Sequence, residues 1–245
     1  MSDRRPDTHL RRPMVGSGTL ALLAALYFSL ASNHSFWSAF LATDVGQSAD
    51  AWGLALGMFV AITALHAGLL LPIINRWTRN VVLPVVFLIT AAAAFYMDRY
   101  HVYIDRDMVA NVLVTEPKEA GELITGDFLI ALLLHGLLPS LFVWWTRAPQ
   151  RSLARGAASH ALGVVLAFGV ALGAIGVNYQ SLSSLMRNEP TLRHLIAPGN
   201  WIVALGRALR DSRRPDEPRQ PIATDARVDR PAGARPRLVV IMVGE

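Results

Sequence analysis

Residues 52–74 read WGLALGMFVAITALHAGLLLPII, with no Asp, Glu, Lys or Arg anywhere in the run. A helix rises 1.5 Å per residue, so about 20 apolar residues cross a hydrocarbon core roughly 30 Å thick. A helix on the surface of a soluble core is apolar along one stripe; this run is apolar all round. Four more runs share the character: Met14–Ser32, Val81–Met97, Phe128–Trp145 and Ala158–Val177. Hydrophobic residues make up 53% of the 245 positions and charged ones 17%, with a mean hydropathy of +0.36. Soluble domains carry about 25% charged residues. The expected fold is therefore an all-α membrane protein, with a bundle of five transmembrane helices over residues 14–177.

The loops orient that bundle. The tail, residues 1–13, holds Arg4, Arg5, Arg11 and Arg12, whereas the next loop, from Asn33 to Ala51, has no Lys or Arg. Arg76 and Arg79 follow the second run, and Arg147, Arg151 and Arg155 follow the fourth. Between the third and fourth, Asp98 to Asp127 carries seven acids against three bases. Basic and non-basic loops alternate, so the positive-inside rule puts the N-terminus in the cytoplasm and everything after Val177 outside.

Several other readings are weaker. A cleaved signal peptide is the rival for the first run, given its basic start and the small residues near Ala31, but the run is long for a signal core. The isoelectric point of about 10.2 comes from arginines in inner loops and near the C-terminus, which argues against a nucleic-acid partner. There is no cysteine, hence no disulfide and no thiol chemistry. No internal repeat of the transporter kind is visible. His66 and His135 fall within apolar runs, where a neutral imidazole bonded between helices is the expected state. The spacings Gly53-x3-Gly57 and Gly169-x3-Gly173 suit close helix packing.

After the fifth run the character changes. Residues 178–210 are polar with scattered apolar positions, and WIVALGRAL (201–209) is short and amphipathic, as a helix lying on the outer membrane surface would be, with Trp201 at the interface. Residues 211–236 are rich in Arg, Pro and Asp, a flexible linker. Leu238–Val243 then forms a β-prone run like a buried parallel strand, the expected start of a truncated α/β domain over 237–245.

The outer segment NVLVTEPKEA (111–120) sets Asn111, Thr115 and Glu119 four residues apart. On one helix they would share an arc of about 80°. Pro117 breaks such a helix, so the spacing predicts one helix ending near Thr115 and another starting with Pro117 in its first turn. The stretch is then either a ligand site for a polar headgroup or a solvated surface whose acids face water.

The pattern Tyr100-x4-Asp105-x2-Met108-x2-Asn111-x3-Thr115-x3-Glu119-Ala120 resembles the signature of the lipid A phosphoethanolamine transferases, the colistin-resistance family of inner-membrane enzymes. A second block agrees: Tyr179, Arg187-Asn188 and LRHLIAPGN (192–200), with Pro198 and Asn200. VVIMVGE (239–245) is similar to the strand that opens the family's periplasmic sulfatase-like domain. His101 departs from the family, which often has glycine there. The resemblance implies transfer of phosphoethanolamine from phosphatidylethanolamine to lipid A or the lipopolysaccharide core, giving polymyxin resistance. It implies a zinc-activated threonine nucleophile beyond residue 245, with Glu245 as one zinc ligand, so the chain alone would be inactive. Glu119 would meet the donor ammonium, Asn111 and Thr115 its phosphate or glycerol oxygens, and Arg187 an anionic phosphate. A monomer in the bacterial inner membrane is expected. A phosphoglycerol-type transferase and a non-catalytic membrane module are the alternatives; a carboxylate at 119 favours a cationic headgroup over the first.

Overall fold

The computed structural model describes residues 12–49, 51–149, 153–212, 227 and 240–242, with the side chains of 153–155 left out. The chain divides into two units, Met1–Ser212 and Arg213–Glu245. The first is helical: α1 (Ser17–Ala31), α2 (His34–Leu41), α3 (Ala51–Leu70), α4 (Arg79–Tyr100), α5 (Arg106–Val114), α6 (Pro117–Glu122), α7 (Gly126–Ala131), a π-helical stretch (Leu132–Leu137), α8 (Leu138–Trp145), α9 (Leu153–Val177), α10 (Tyr179–Asn188), a 3-10 turn (Leu192–Leu195) and α11 (Gly199–Asp211). The described residues form no sheet; their one β feature is an isolated bridge between Met14 and Arg147. In the second unit Val240, Ile241 and Met242 are exposed and outside any helix or strand. The rest of the expected strand, the linker residues other than 211, 212 and 227, and Glu245 lie outside the described residues.

Four helical segments are long and apolar enough to cross a membrane: Ala51–Leu70, Arg79–Tyr100, Gly126–Trp145 and Gly156–Val177. The first expected run is shorter. α1 has 15 residues, about 22 Å of helix, because the chain bends into α2 at Asn33. Asn33 is buried; its Nδ2 donates to the carbonyls of Phe28 and Ala197, each at 2.8 Å, and its Oδ1 accepts from Ala197 N at 2.7 Å. One side chain therefore ends α1 and ties it to the segment before α11. α1 is also packed into the bundle, with Leu20, Ala21, Ala24 and Phe28 buried.

Only 6% of the Gly156–Val177 window and 17% of the Gly126–Trp145 window are buried. Exposed aliphatic faces of that extent are unfavourable in water and match hydrocarbon. Between α3 and α9 the backbones approach at two other glycines than those expected. A Cβ on Gly68 would come 3.2 Å from the Phe168 ring, and one on Gly163 would come 3.2 Å from Leu71. Gly53, Gly169 and Gly173 face open space, while Gly57 alone of the expected spacing meets a neighbour, Asn178. The hydrophobic interior falls into two clusters. One, around Phe28, Ile74, Leu83 and Phe87, lies toward the α3–α4 turn; the other, around Phe36, Phe40, Met58, Met97, Ile104 and Leu185, lies toward the polar segment.

Two spanning segments contain proline, and in each a side chain from another segment donates to a carbonyl nearby. Proline has no N–H, so Pro84 frees the carbonyl of Asn80, while Pro139 follows the π-helical stretch that holds His135. In hydrocarbon a free carbonyl costs several kcal/mol, so a neighbour must supply a donor. Trp144 Nε1 donates to Asn80 O at 2.7 Å, and Tyr27 Oη donates to His135 O at 3.1 Å. Tyr27 Oη also lies 3.3 Å from His135 Nδ1, so His135 is bonded between helices as expected. His66 is not so placed: it is buried, and its Nδ1 has no hydrogen-bond partner among the described residues. Trp144→Phe and Tyr27→Phe should each lower the stability of the bundle by about 0.5–1.5 kcal/mol. Thermal unfolding in detergent measures this, and unchanged midpoints in both variants would show that the two bonds contribute nothing.

Arg79, expected as an inner-loop charge, is 1% exposed. Its guanidinium donates to Val15 O at 3.0 Å, Val143 O at 3.3 Å and Thr146 O at 2.7 Å, and also to Thr146 Oγ1. The last carbonyls of α8 carry negative dipole ends, which suits a cation. Alongside, Val15 N donates to Arg147 O and Arg147 N to Pro13 O, both at 2.9 Å. Arg79 thus fastens the start of α4 to the start of α1 and the end of α8.

Candidate functional site

α4 ends at Tyr100, and His101 caps it in the left-handed region, at φ 54° and ψ 33°. That conformation favours glycine, the residue that the resemblance noted in the sequence leads one to expect there. The chain then turns at Ile104, where Asp105 N donates to Tyr103 O at 3.1 Å, and Asp105 Oδ1 accepts from Met108 N at 2.9 Å and caps α5. α5 stops at Val114; Thr115 and Glu116 are extended, at ψ 133° and 144°, and Pro117 opens α6. The break expected from Pro117 is where the sequence placed it.

Two attachments hold α5. Arg106 Nη1 lies 2.7 Å from Asp211 Oδ2 at the end of α11. Hydrogen bonds to Asp107 and Asp211 keep the guanidinium above its ordinary pKa, so it stays charged throughout the physiological range. An exposed pair like this contributes little stability; its role is to set position. Met108 and Val109 pack on the cluster that holds Met97, Ile104, Leu185 and Leu192. α11 is fixed in turn from its start. Asn200 Nδ2 donates to His194 O at 2.8 Å, and Trp201 Nε1 donates to Thr90 Oγ1 at 3.1 Å. Trp201, expected at the membrane surface, therefore reaches into the bundle.

On this platform Asn111 and Glu119 are exposed and Thr115 is half-buried. Thr115 Oγ1 donates to Asn111 O at 2.8 Å, which closes the C-terminus of α5. No described hydrogen bond joins the three side chains to each other. The Asn111 carboxamide and the Glu119 carboxylate have no partner among the described residues. Arg187, in the last turn of α10, is exposed too. It stands at the same end of the bundle, since Leu185 of α10 shares a cluster with Ile104. The two cavities described are lined by none of these four residues. Between Asn111 and Thr115, Val112, Leu113 and Val114 are 62%, 57% and 80% exposed. An unpaired amide adjoins a bare aliphatic stretch on α5, and an unpaired carboxylate follows on α6; together these groups make an amphipathic segment, which can take a headgroup and a chain.

The described residues contain no group of three or more His, Cys, Asp or Glu placed to hold a metal ion. Glu245 lies outside them. Sequence reasoning missed the tethers that position the patch: Asn33, Asp105 as a cap, and the Arg106–Asp211 pair. An asparagine directly after an uncharged run was the available signal for the first.

The family profile described as phosphoethanolamine transferase EptA/EptB matches residues 62–213. The chain belongs to this family. Phosphoethanolamine transferase EptA of Escherichia coli (strain K12) is 29% identical over 197 residues, covering 80% of this chain and 36% of that protein. Phosphatidylethanolamine transferase Mcr-1 of Escherichia coli is 26% identical over 241 residues, 96% of this chain and 44% of that protein. Among solved structures, the integral membrane lipooligosaccharide phosphoethanolamine transferase A (EptA) of Neisseria meningitidis superposes with a TM-score of 0.77 at 26% identity, over 91% of this chain and 41% of that one. The chain spans less than half the length of these EptA and Mcr relatives, and its helices are those of an EptA-like membrane domain.

Proposed function

We propose that this chain is the membrane part of an enzyme that moves phosphoethanolamine from phosphatidylethanolamine to lipid A or an adjacent sugar of the lipopolysaccharide core. Family membership and the names of the relatives support the reaction class. The observation that carries the role of these residues is the patch itself: Glu119 and Asn111 unpaired beside exposed Val112, Leu113 and Val114. Glu119 meets the donor's ammonium, Asn111 and Thr115 bond its phosphate or glycerol oxygens, and the aliphatic side chains lie along its acyl chains. Arg187, at the same end, takes an anionic phosphate of donor or acceptor.

The same proposal includes the orientation. Basic loops mark the cytoplasmic face of an inner membrane, so the patch faces the periplasm. It also includes action as a monomer, with polymyxin resistance as the outcome. The transfer chemistry lies in the length of the family that this chain does not span. Zinc, with Glu245 as one ligand, rests on the sequence resemblance alone.

Mass spectrometry of lipid A is the test. Cells expressing the full-length protein should show a phosphoethanolamine adduct, and cells expressing residues 1–245 alone should match the empty vector. An adduct from residues 1–245 would put the nucleophile inside this chain. A full-length protein that leaves lipid A unmodified, while adding phosphoglycerol elsewhere in the envelope, would replace the proposed donor.

A further inference from the structure

A cavity of about 870 Å³ opens between α1, α3 and α9, at the end of the bundle opposite the polar patch. It reaches from Leu22 and Val60 to a mouth formed by Ser17, Arg76, Trp77 and His160. Its size falls within the roughly 300–1,000 Å³ of small-molecule sites. Leu22, Leu166 and Val170 of the lining are exposed, so it is open sideways to whatever surrounds the helices. Its walls are mainly aliphatic, and an apolar cavity does not hold water well. In a bilayer, hydrocarbon is the filler at hand.

The mouth is chemically one-sided. Among the described residues no Asp or Glu lines the cavity. Arg76 sits on a turn held from within: Asn75 Oδ1 accepts from Trp77 N at 2.9 Å and Thr78 N at 3.1 Å, and Asn75 N donates to Thr78 Oγ1 at 3.0 Å. Its guanidinium stacks 4.2 Å from the centroid of the Trp77 ring and has no acidic partner among the described residues. Half-buried His160 faces the same opening, with the hydroxyls of Ser17 and Ser159.

We propose that this cavity holds an anionic diacyl phospholipid of the leaflet on the Arg76 side, with an acyl chain between α1, α3 and α9 and its phosphate at the mouth against Arg76. A headgroup bearing an ammonium finds no carboxylate there, whereas a phosphate with a neutral hydroxylated headgroup finds a cation and hydroxyl partners. The site is separate from the proposed donor patch in place and in charge: that patch offers a carboxylate, this one a guanidinium. It stands whether or not the donor reading holds.

Native mass spectrometry of the full-length protein in detergent, with phosphatidylglycerol and phosphatidylethanolamine at equal mole fraction, tests it. Phosphatidylglycerol adducts should exceed phosphatidylethanolamine adducts by roughly 10-fold, and Arg76→Gln should remove that preference. Arg76 is an exposed turn residue, so the variant should keep the thermal midpoint of the wild type. Ala167→Phe, which fills the cavity from α9, should reduce retention of both lipids. Arg207→Gln, a cation of α11 away from the cavity, should change nothing. Equal binding of the two lipids by the wild type, or phosphatidylglycerol binding that survives Arg76→Gln, overturns the proposal.

Discussion

Glu119→Gln in the full-length protein should lower transfer of phosphoethanolamine to lipid A by about 10- to 150-fold, the equivalent of the roughly 1.5–3 kcal/mol of a hydrogen bond to a charged group. The substitution keeps the shape of the side chain and removes the charge proposed to meet the donor ammonium. Nothing else in the structure depends on that charge, because the carboxylate is exposed and has no partner among the described residues. Asn111→Ala and Thr115→Ala should weaken transfer less, by about 0.5–1.5 kcal/mol each if their bonds to the donor are neutral. Thr115→Ala also removes the bond that closes α5, so thermal stability must be read beside activity for that variant. Quantitative mass spectrometry of lipid A, normalised to membrane abundance, measures all three. A Glu119→Gln protein that accumulates normally and works at the wild-type rate would reduce the patch to solvated surface.

Arg79→Leu should destabilise the bundle by about 3–5 kcal/mol, enough to remove most folded protein from the membrane. The loss comes from what the substitution leaves behind. The carbonyls of Val15, Val143 and Thr146 now share one guanidinium; without it Val143 O keeps Thr146 N and Oγ1, but Val15 O and Thr146 O lose the donor described for them. Arg79→Lys keeps the charge but not the planar fork, so it should recover only part of the loss. Thermal unfolding and membrane abundance report the effect. An Arg79→Leu protein that unfolds within about 2 °C of the wild type would mean that water reaches these carbonyls and Arg79 is only a loop charge.

Much of this architecture is legible in the sequence, for definite reasons. A long apolar run has one low-energy state in a bilayer, a helix, and so α3, α4, Gly126–Trp145 and α9 could be placed by composition alone. Pro117 acts locally, and it divided α5 from α6 where expected. Features that depend on a distant partner were not legible. Arg79 looks like any inner-loop arginine until Val15 and Thr146 are brought to it. Gly68 and Gly163, not the Gly169-x3-Gly173 pair, meet a neighbouring helix, because the rotation of α9 about its axis is set by packing and not by its own sequence. α1 is short because Asn33 bonds a residue 164 positions away. For the candidate site, spacing and resemblance singled out Asn111, Thr115, Glu119 and Arg187, and the break at Pro117 between them was legible. Their tethering through Arg106, Asp211 and the α11 platform was not, since it joins residues more than one hundred positions apart.

The carbonyl released by Pro84 bears on how the chain is made. When α4 leaves the ribosome and enters the bilayer, Asn80 O has no donor until Trp144, 64 residues later, has been synthesised. Tyr27 Oη, by contrast, precedes its acceptor His135 O by 108 residues, so that carbonyl has its donor in the chain from the start. α4 therefore cannot reach its final bonding state by partitioning alone; it is completed by a later arrival. That helix must stay beside the insertion machinery, or find water or a lipid headgroup as a temporary donor, until the fourth apolar run arrives. Biogenesis of this bundle is a matter of timing as well as of hydrophobicity, and slowing translation between residues 100 and 140 would prolong the interval in which the carbonyl of Asn80 is open.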